Sequence, residues 1–241
     1  MWGSGCDDGR KVPFRARVGA GVKEAYFRPD SIGRKARSML REVEPYRRSH
    51  ILLNSERSAL LVLDMQKYFL RPSSHAYVPS AEAVVPKVRS LVEAYAERDL
   101  PVILTRHTNL PEDAGVMGRW WRELILPDHP LSGIVPELDI SYGIILDKHQ
   151  YDAFYGTGLE DLLKEKGVSQ VVVCGVMTHL CCETTARSAF VRGFEVFFPV
   201  DGTATYNEAF HRATLLNLSH GFAVPVLMDE VLGHMNGEPV T

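Results

Sequence analysis

"SQVVVCGVMTHLCCETTARSAFVRG", Ser169–Gly193, decides the fold. It opens on the β-branched, uncharged run Val171–Val173, which reads as a strand covered on both faces. Beyond Gly175 the pattern changes. Cys182, Ala186, Ala189, Phe190 and Gly193 recur at the spacing of a helix that turns one stripe toward a core. A buried strand running into such a helix is half of a βαβ unit, and that unit implies a parallel sheet. The stretch also sets two cysteines side by side. Helical phase gives Cys182 to the core stripe, while Cys181 lies about 100° around the helix and in its first turn. Free backbone N–H groups and the helix dipole there favour a thiolate. Cys174 sits inside the strand as packing, and a bridge between Cys181 and Cys182 would strain the helix start.

The same alternation runs outward along the chain. Strands are predicted over 58–64, 101–106, 142–148, 169–175, 195–201 and 223–228. Helices are predicted over 31–43, with Ser31 as N-cap, and over 81–97, 158–167, 180–192 and 207–221. The irregular segment 108–137, with Trp120 and Trp121, reads as a long functional loop holding short helices. The expected fold class is α/β: a Rossmann-like three-layer α/β/α sandwich with a six-stranded, mainly parallel sheet. Residues 1–28 read as disordered or as an extension, and 29–241 as one domain with an N-terminal helical arm.

A net charge of -3 gives no reason to expect nucleic acid as a partner. The early basic residues Arg34, Lys35, Arg37, Arg41, Arg47 and Arg48 are interrupted by Glu42 and Glu44, as on a solvated helix face. No apolar run approaches the roughly 20 residues of a membrane span, and the first 22 residues lack the apolar centre of a secretory signal. Cys174, Cys181 and Cys182 bunch together, unlike a disulfide framework. No membrane partner and a cytoplasmic location are therefore expected.

Reactive groups in such sheets collect beyond the carboxyl ends of the strands. Those ends offer Asp64, Arg106 with His107, Asp147 with Lys148, the 175–182 stretch and Asp201. "GTG" at 156–158 lacks the third glycine of a dinucleotide fingerprint, and there is no P-loop, so no cofactor is expected. Asp64 alone reads equally as a helix cap, and Lys148 alone as a stem covering the sheet edge with Asp147 on the opposite side. Together with Cys181 they are complementary. Asp64 takes the thiol proton, Lys148 holds an ion pair, and the N–H groups of Met177 and Cys181 supply an oxyanion hole. No Cys or His has a second ligand at zinc spacing. Asp201 is expected to cap a loop and His211 to be structural.

Three motifs, "ALLVLDMQKYFL", "LDKHQYDAFYGTGL" and "GVMTHLCCETTARSAFVRGF", resemble the isochorismatase-like hydrolase superfamily, whose cysteine hydrolases include nicotinamidases and carbamoyl-amide hydrolases. The resemblance spans about 50–232. It implies that Asp64, Lys148 and Cys181 form the catalytic triad, that Val176–Met177 is a non-proline cis peptide, and that chains associate as dimers or tetramers. Gln66, Phe69, His107, Trp121, Tyr151 and Phe154 are the expected substrate contacts, with Trp120 as a further candidate wall of the pocket. "DMQKYFLRP", the basic N-terminal helix and "KHQYDAF" look closest to true isochorismatases, which cleave a vinyl ether to release pyruvate. Those carry glycine where this chain has Cys181. Nicotinamidases hold a metal with an Asp-x-His pair and a further His, where this chain has "TRHTN". The resemblance thus implies no metal and disfavours nicotinamide.

The expected function is cysteine-dependent hydrolysis of an amide, ureido or carbamoyl C–N bond in a small molecule, through a thioester. Isochorismatase-type ether cleavage is the alternative. An inactive binding module would have lost a triad member, and all three are present.

Overall fold

The computed structural model describes residues 23–236. Its centre is a sheet of seven strands: β1 (Ser58–Leu63), β2 (Val102–His107), β3 (Ile144–Lys148), β4 (Gln170–Val176), β5 (Glu195–Pro199), β6 (Thr203–Ala204) and β7 (Val224–Val226). Their order is β3-β2-β1-β4-β5-β7, with β6 paired to the end of β4, and every pairing is parallel. The expected six-stranded sheet gains β6, which is two residues long and too short to show a period. β1 and β4 are buried along their whole length, as their unbroken apolar runs require. β3 is an edge strand, and Ile144 and Ile145 on it are 40% and 45% exposed.

Helices Ile32–Val43, Ala81–Ala96, Leu159–Glu165, Glu183–Val191, Glu208–Gly221 and Met228–Met235 complete the layers. The last was not foreseen from sequence; its first N–H, on Met228, donates to Asp201, which thus caps a helix. Ser31 does stand at an N-cap position, but its hydroxyl donates to Asp30 and caps nothing. Cys182, Ala186 and Ala189 are buried as their stripe predicts, whereas Phe190 is 48% exposed. Phe190 sits at the outer end of the helix, edge-on to Phe222. The loop over 108–137 carries one short helix, Met117–Trp120.

The packed chain reaches back past residue 29. Tyr26 and Phe27 belong to the core, and the Glu24 N–H donates to the Tyr206 carbonyl. Residues 1–22 lie outside the described residues. Among the described residues no helix is long and apolar enough to cross a membrane.

The strand order reverses between β1 and β4, and the register there puts Leu63 opposite Gly175. Gly175 has φ +110°, and a Cβ on it would stand 2.1 Å from the Leu63 carbonyl oxygen. Only glycine lets the two strand ends approach so closely. Gly175→Ala is therefore expected to lower stability by about 3 kcal/mol, read as a lower urea midpoint. An unchanged midpoint would contradict the close approach.

Candidate active site

Asp64, the residue after β1, adopts φ +51°, which turns the chain sharply at the strand end. Its backbone N–H donates to the Thr105 hydroxyl, and that hydroxyl sits 2.6 Å from Asp64 Oδ1. His107 and Lys148 close β2 and β3 in register with one another. Cys181 follows β4 inside a single π-helical turn, Thr178–Cys182, that precedes the α-helix. The sequence predicts an α-helix from about 180. The wider turn lets Cys182 reach the core while Cys181 lines a pocket. The peptide bond Val176–Met177 is cis.

These elements bring three side chains together. Lys148 Nζ lies 2.8 Å from Asp64 Oδ2 and 3.4 Å from Cys181 Sγ. It also donates to the Gln150 carbonyl at 2.8 Å and approaches His107 Nδ1 at 3.3 Å. Asp64 and Lys148 are both fully buried. Asp64 Oδ2 thus faces the ammonium inside the core, where opposite charge takes the place of water. Burial would raise Asp64, but Lys148 and His107 beside it hold its carboxyl below the usual range. Burial would lower Lys148, but Asp64 and Cys181 hold it above its ordinary value.

Cys181 departs from the sequence expectation. Burial pushes its thiol up, the Asp64 carboxylate pushes further, and Lys148 opposes only in part. Desolvation and the Asp64 charge thus favour the neutral thiol over the thiolate that the helix-start N–H groups would stabilise. Cys174 and Cys182 are buried and likewise raised.

Above Cys181 opens a pocket continuous with solvent. Phe69, Trp121, Tyr151, Tyr68 and Tyr206 wall it, with His107 and Met177 also lining it. Trp121 Nε1 donates to the Tyr151 hydroxyl at 2.7 Å. Two expected contacts are elsewhere. Gln66 is fully buried and clamps backbone: its amide N–H groups donate to the His107 and Ser132 carbonyls, and its Oε1 accepts from the His107 N–H. Phe154 stacks on Phe194 under the Arg192 guanidinium, away from the cavity. Trp120 is 76% exposed and does not line it. Asp147 turns outward to a bidentate pair with Arg106, as alternation requires. His211 is buried against Tyr26.

Sequence reasoning missed Thr105, Asn109, Tyr68 and Tyr206. Thr105 was within reach, since it shares a strand face with His107 two residues on. Asn109 and Tyr206 come from loops whose path no local pattern sets, and Tyr68 from the one-turn helix Lys67–Leu70.

An isochorismatase domain matches residues 58–230 of the chain. Nicotinamidase 3 of Arabidopsis thaliana is 42% identical over 183 residues, covering 74% of this chain and 88% of that protein. A cysteine hydrolase from Pseudomonas syringae superposes with a TM-score of 0.73 at 27% identity, over 77% of this chain and 95% of the other. The pyrazinamidase of Pyrococcus horikoshii, solved in complex with zinc, gives 0.65 at 26% identity, over 71% and 99%. The donor set for an ion like the third protein's does not fit. Both ring nitrogens of His107 are engaged, by Lys148 and Asn109, and no group of three His, Cys, Asp or Glu among the described residues is placed to hold a metal.

The buried pair carries a measurable signature. Asp64→Asn leaves a buried ammonium without its counter-charge and should cost about 3–5 kcal/mol, read by urea denaturation at pH 7. With its folded value depressed, Asp64 contributes stability that is present above its unfolded pKa, about 3.9, and lost as pH falls through the folded value. With its folded value raised, Lys148 contributes below about 10.4 and loses that contribution as pH rises through the folded value. The pair's contribution to wild-type stability should thus be complete from roughly pH 5 to 9. Asp64→Asn should gain stability as pH rises and its unpartnered Lys148 sheds its proton, so the gap should narrow with pH, and a gap that does not narrow would place the charges elsewhere.

Proposed function

This chain belongs to the isochorismatase family and is a hydrolase, and from that premise we propose that it cleaves the C–N bond of a small, uncharged carboxamide with Cys181 as nucleophile. The observation that carries this reading is the meeting of Asp64, Lys148 and Cys181, with 2.8 Å and 3.4 Å between their reacting groups, under an aromatic pocket. Sequence identity of 42% to a protein named a nicotinamidase supports amide chemistry.

The resting thiol fits a concerted start. Asp64 takes the Cys181 proton as sulfur attacks the carbonyl carbon, so the net charge of the site never changes. Lys148 stabilises the negative charge that builds on sulfur during the transfer. The N–H groups of Met177 and Cys181 receive the tetrahedral oxyanion. Asp64 returns its proton to the leaving nitrogen, ammonia departs and a thioester remains. Asp64 next takes a proton from water, the hydroxide oxygen adds to the thioester carbon, and the acid leaves as Cys181 regains its hydrogen.

The pocket's charge separates this reading from ether cleavage. Isochorismate carries two carboxylates, yet no lysine or arginine lines the pocket among the described residues, and Glu123 at its rim is an anion. Lys148 is already committed to Asp64. A flat, neutral amide such as nicotinamide suits aromatic walls and needs no counter-cation.

An assay of ammonia release across nicotinamide, benzamide and carbamoyl compounds, run beside pyruvate release from isochorismate, tests the proposal. Ammonia is expected from at least one amide, with no pyruvate. Cys181→Ala should lose at least about 10³-fold in kcat, and quenched wild type should show an acyl adduct on Cys181 by mass spectrometry. Pyruvate release that survives Cys181→Ala would overturn the amide reading in favour of the ether.

A further inference from the structure

The pocket over Cys181 is walled from several separate stretches of chain, and two of them share a support. His75 and Ala76 come from the loop after the one-turn helix Lys67–Leu70, and Tyr206 from the loop after β6. Both are held by residues 23–27, a segment that forms neither helix nor strand. The Lys23 ammonium donates to the His75 carbonyl and sits over the Tyr206 ring, 4.5 Å from its centroid. The next residue grips the same tyrosine by its backbone, since the Glu24 N–H donates to the Tyr206 carbonyl at 2.7 Å.

The segment is itself anchored at its other end. Tyr26 and Phe27 are buried in the core. The Phe27 N–H donates to the buried Ser80 hydroxyl at 3.0 Å, and that hydroxyl donates to the Glu24 carbonyl at 3.2 Å. The Tyr26 hydroxyl accepts the Thr205 N–H at 3.0 Å, one residue before the pocket tyrosine. Lys23 therefore projects from a fixed base. A cation over a ring and a charge-assisted hydrogen bond to a carbonyl then tie two mobile loops to one side chain. The constraint passes on along the rim. His75 Nδ1 stands 3.1 Å from Glu123 Oε1, which also accepts the Tyr68 hydroxyl at 2.8 Å.

We propose that Lys23 is a positioning residue for substrate binding: it clamps the His75 and Tyr206 walls to one another, so that a segment outside the matched domain, residues 58–230, sets how tightly the pocket holds its substrate. Its contacts are with the walls, whereas Asp64, Lys148 and Cys181 contact each other. It therefore acts on binding and leaves the chemical step alone. The inference rests on the reading of this pocket as the one in which Cys181 works.

Lys23→Met keeps an apolar stem and removes the charge with its donors. In the full chain it should raise KM about fivefold at nearly constant kcat, on whichever compound the ammonia and pyruvate assays show to be turned over. Lys23→Arg, whose guanidinium both stacks on a ring and donates to a carbonyl, should bring KM back to within about twofold of wild type. Lys23→Met should also exchange the amide hydrogens of residues 203–207 faster, read by mass spectrometry, with the urea midpoint unchanged. A KM equal to wild type in Lys23→Met overturns the proposal, as does a loss confined to kcat or a KM that stays high in Lys23→Arg. A lowered urea midpoint would make the contact merely structural and overturns it too. If no compound is turned over, hydrogen exchange decides: unchanged exchange over 203–207 overturns the proposal, and faster exchange at an unchanged midpoint supports it. Hydrolysis that survives Cys181→Ala would instead remove the nucleophile assignment and leave the KM comparison standing, so the two failures are distinguishable.

Discussion

The ion pair between Asp64 and Lys148 is the interaction to which the rest of the site is subordinate. Two opposite charges, fully buried and 2.8 Å apart, are tolerated only because each is the other's solvent. The sheet is organised to make that meeting possible. Asp64 leaves β1 and Lys148 ends β3, with β2 between them carrying Thr105 and His107 on its inward face. On the other side of β1, Gly175 lets the end of β4 come close enough to deliver the π-helical turn and its cysteine. Each of these groups contacts the pair or holds a group that does.

Burial also bears on the nucleophile proposed above. A thiolate stored in the resting state would add a second negative charge beside Asp64 in a medium that solvates neither. In the proposed reaction that cost is avoided, because the proton is kept and passed on only when a carbonyl carbon arrives. Charge would then move between Asp64 and Cys181 around a fixed cation, with little reorganisation.

Most of the architecture was legible in the sequence, because strand alternation and helical stripes are local patterns. Five of the seven strands are longer than three residues, and all five were located; β6 was missed because two residues have no period. Asp64, Lys148 and Cys181 were legible because strand ends in a parallel sheet converge wherever the strands do. What could not be read depends on distant partners. Gln66 looked like a pocket residue, but the carbonyls it holds belong to residues 41 and 66 positions away. Phe154 looked like a wall until Phe194 was placed against it. The protonation of Cys181 follows from desolvation, a property of the assembled core that no spacing encodes.

The N-terminal arm has a consequence for how the folding unit is drawn. The family match begins at residue 58, yet Tyr26, Phe27, Ile32, Ala36, Met39, Leu40 and Val43 are all core residues. Tyr26 reaches the imidazole of His211 and accepts the backbone N–H of Thr205, and Glu24 meets Tyr206 at the pocket rim. The heritable module and the foldable one therefore have different edges here. A chain cut to the shared boundary would keep every reactive group and expose an apolar flank, trading a complete enzyme for a sticky one.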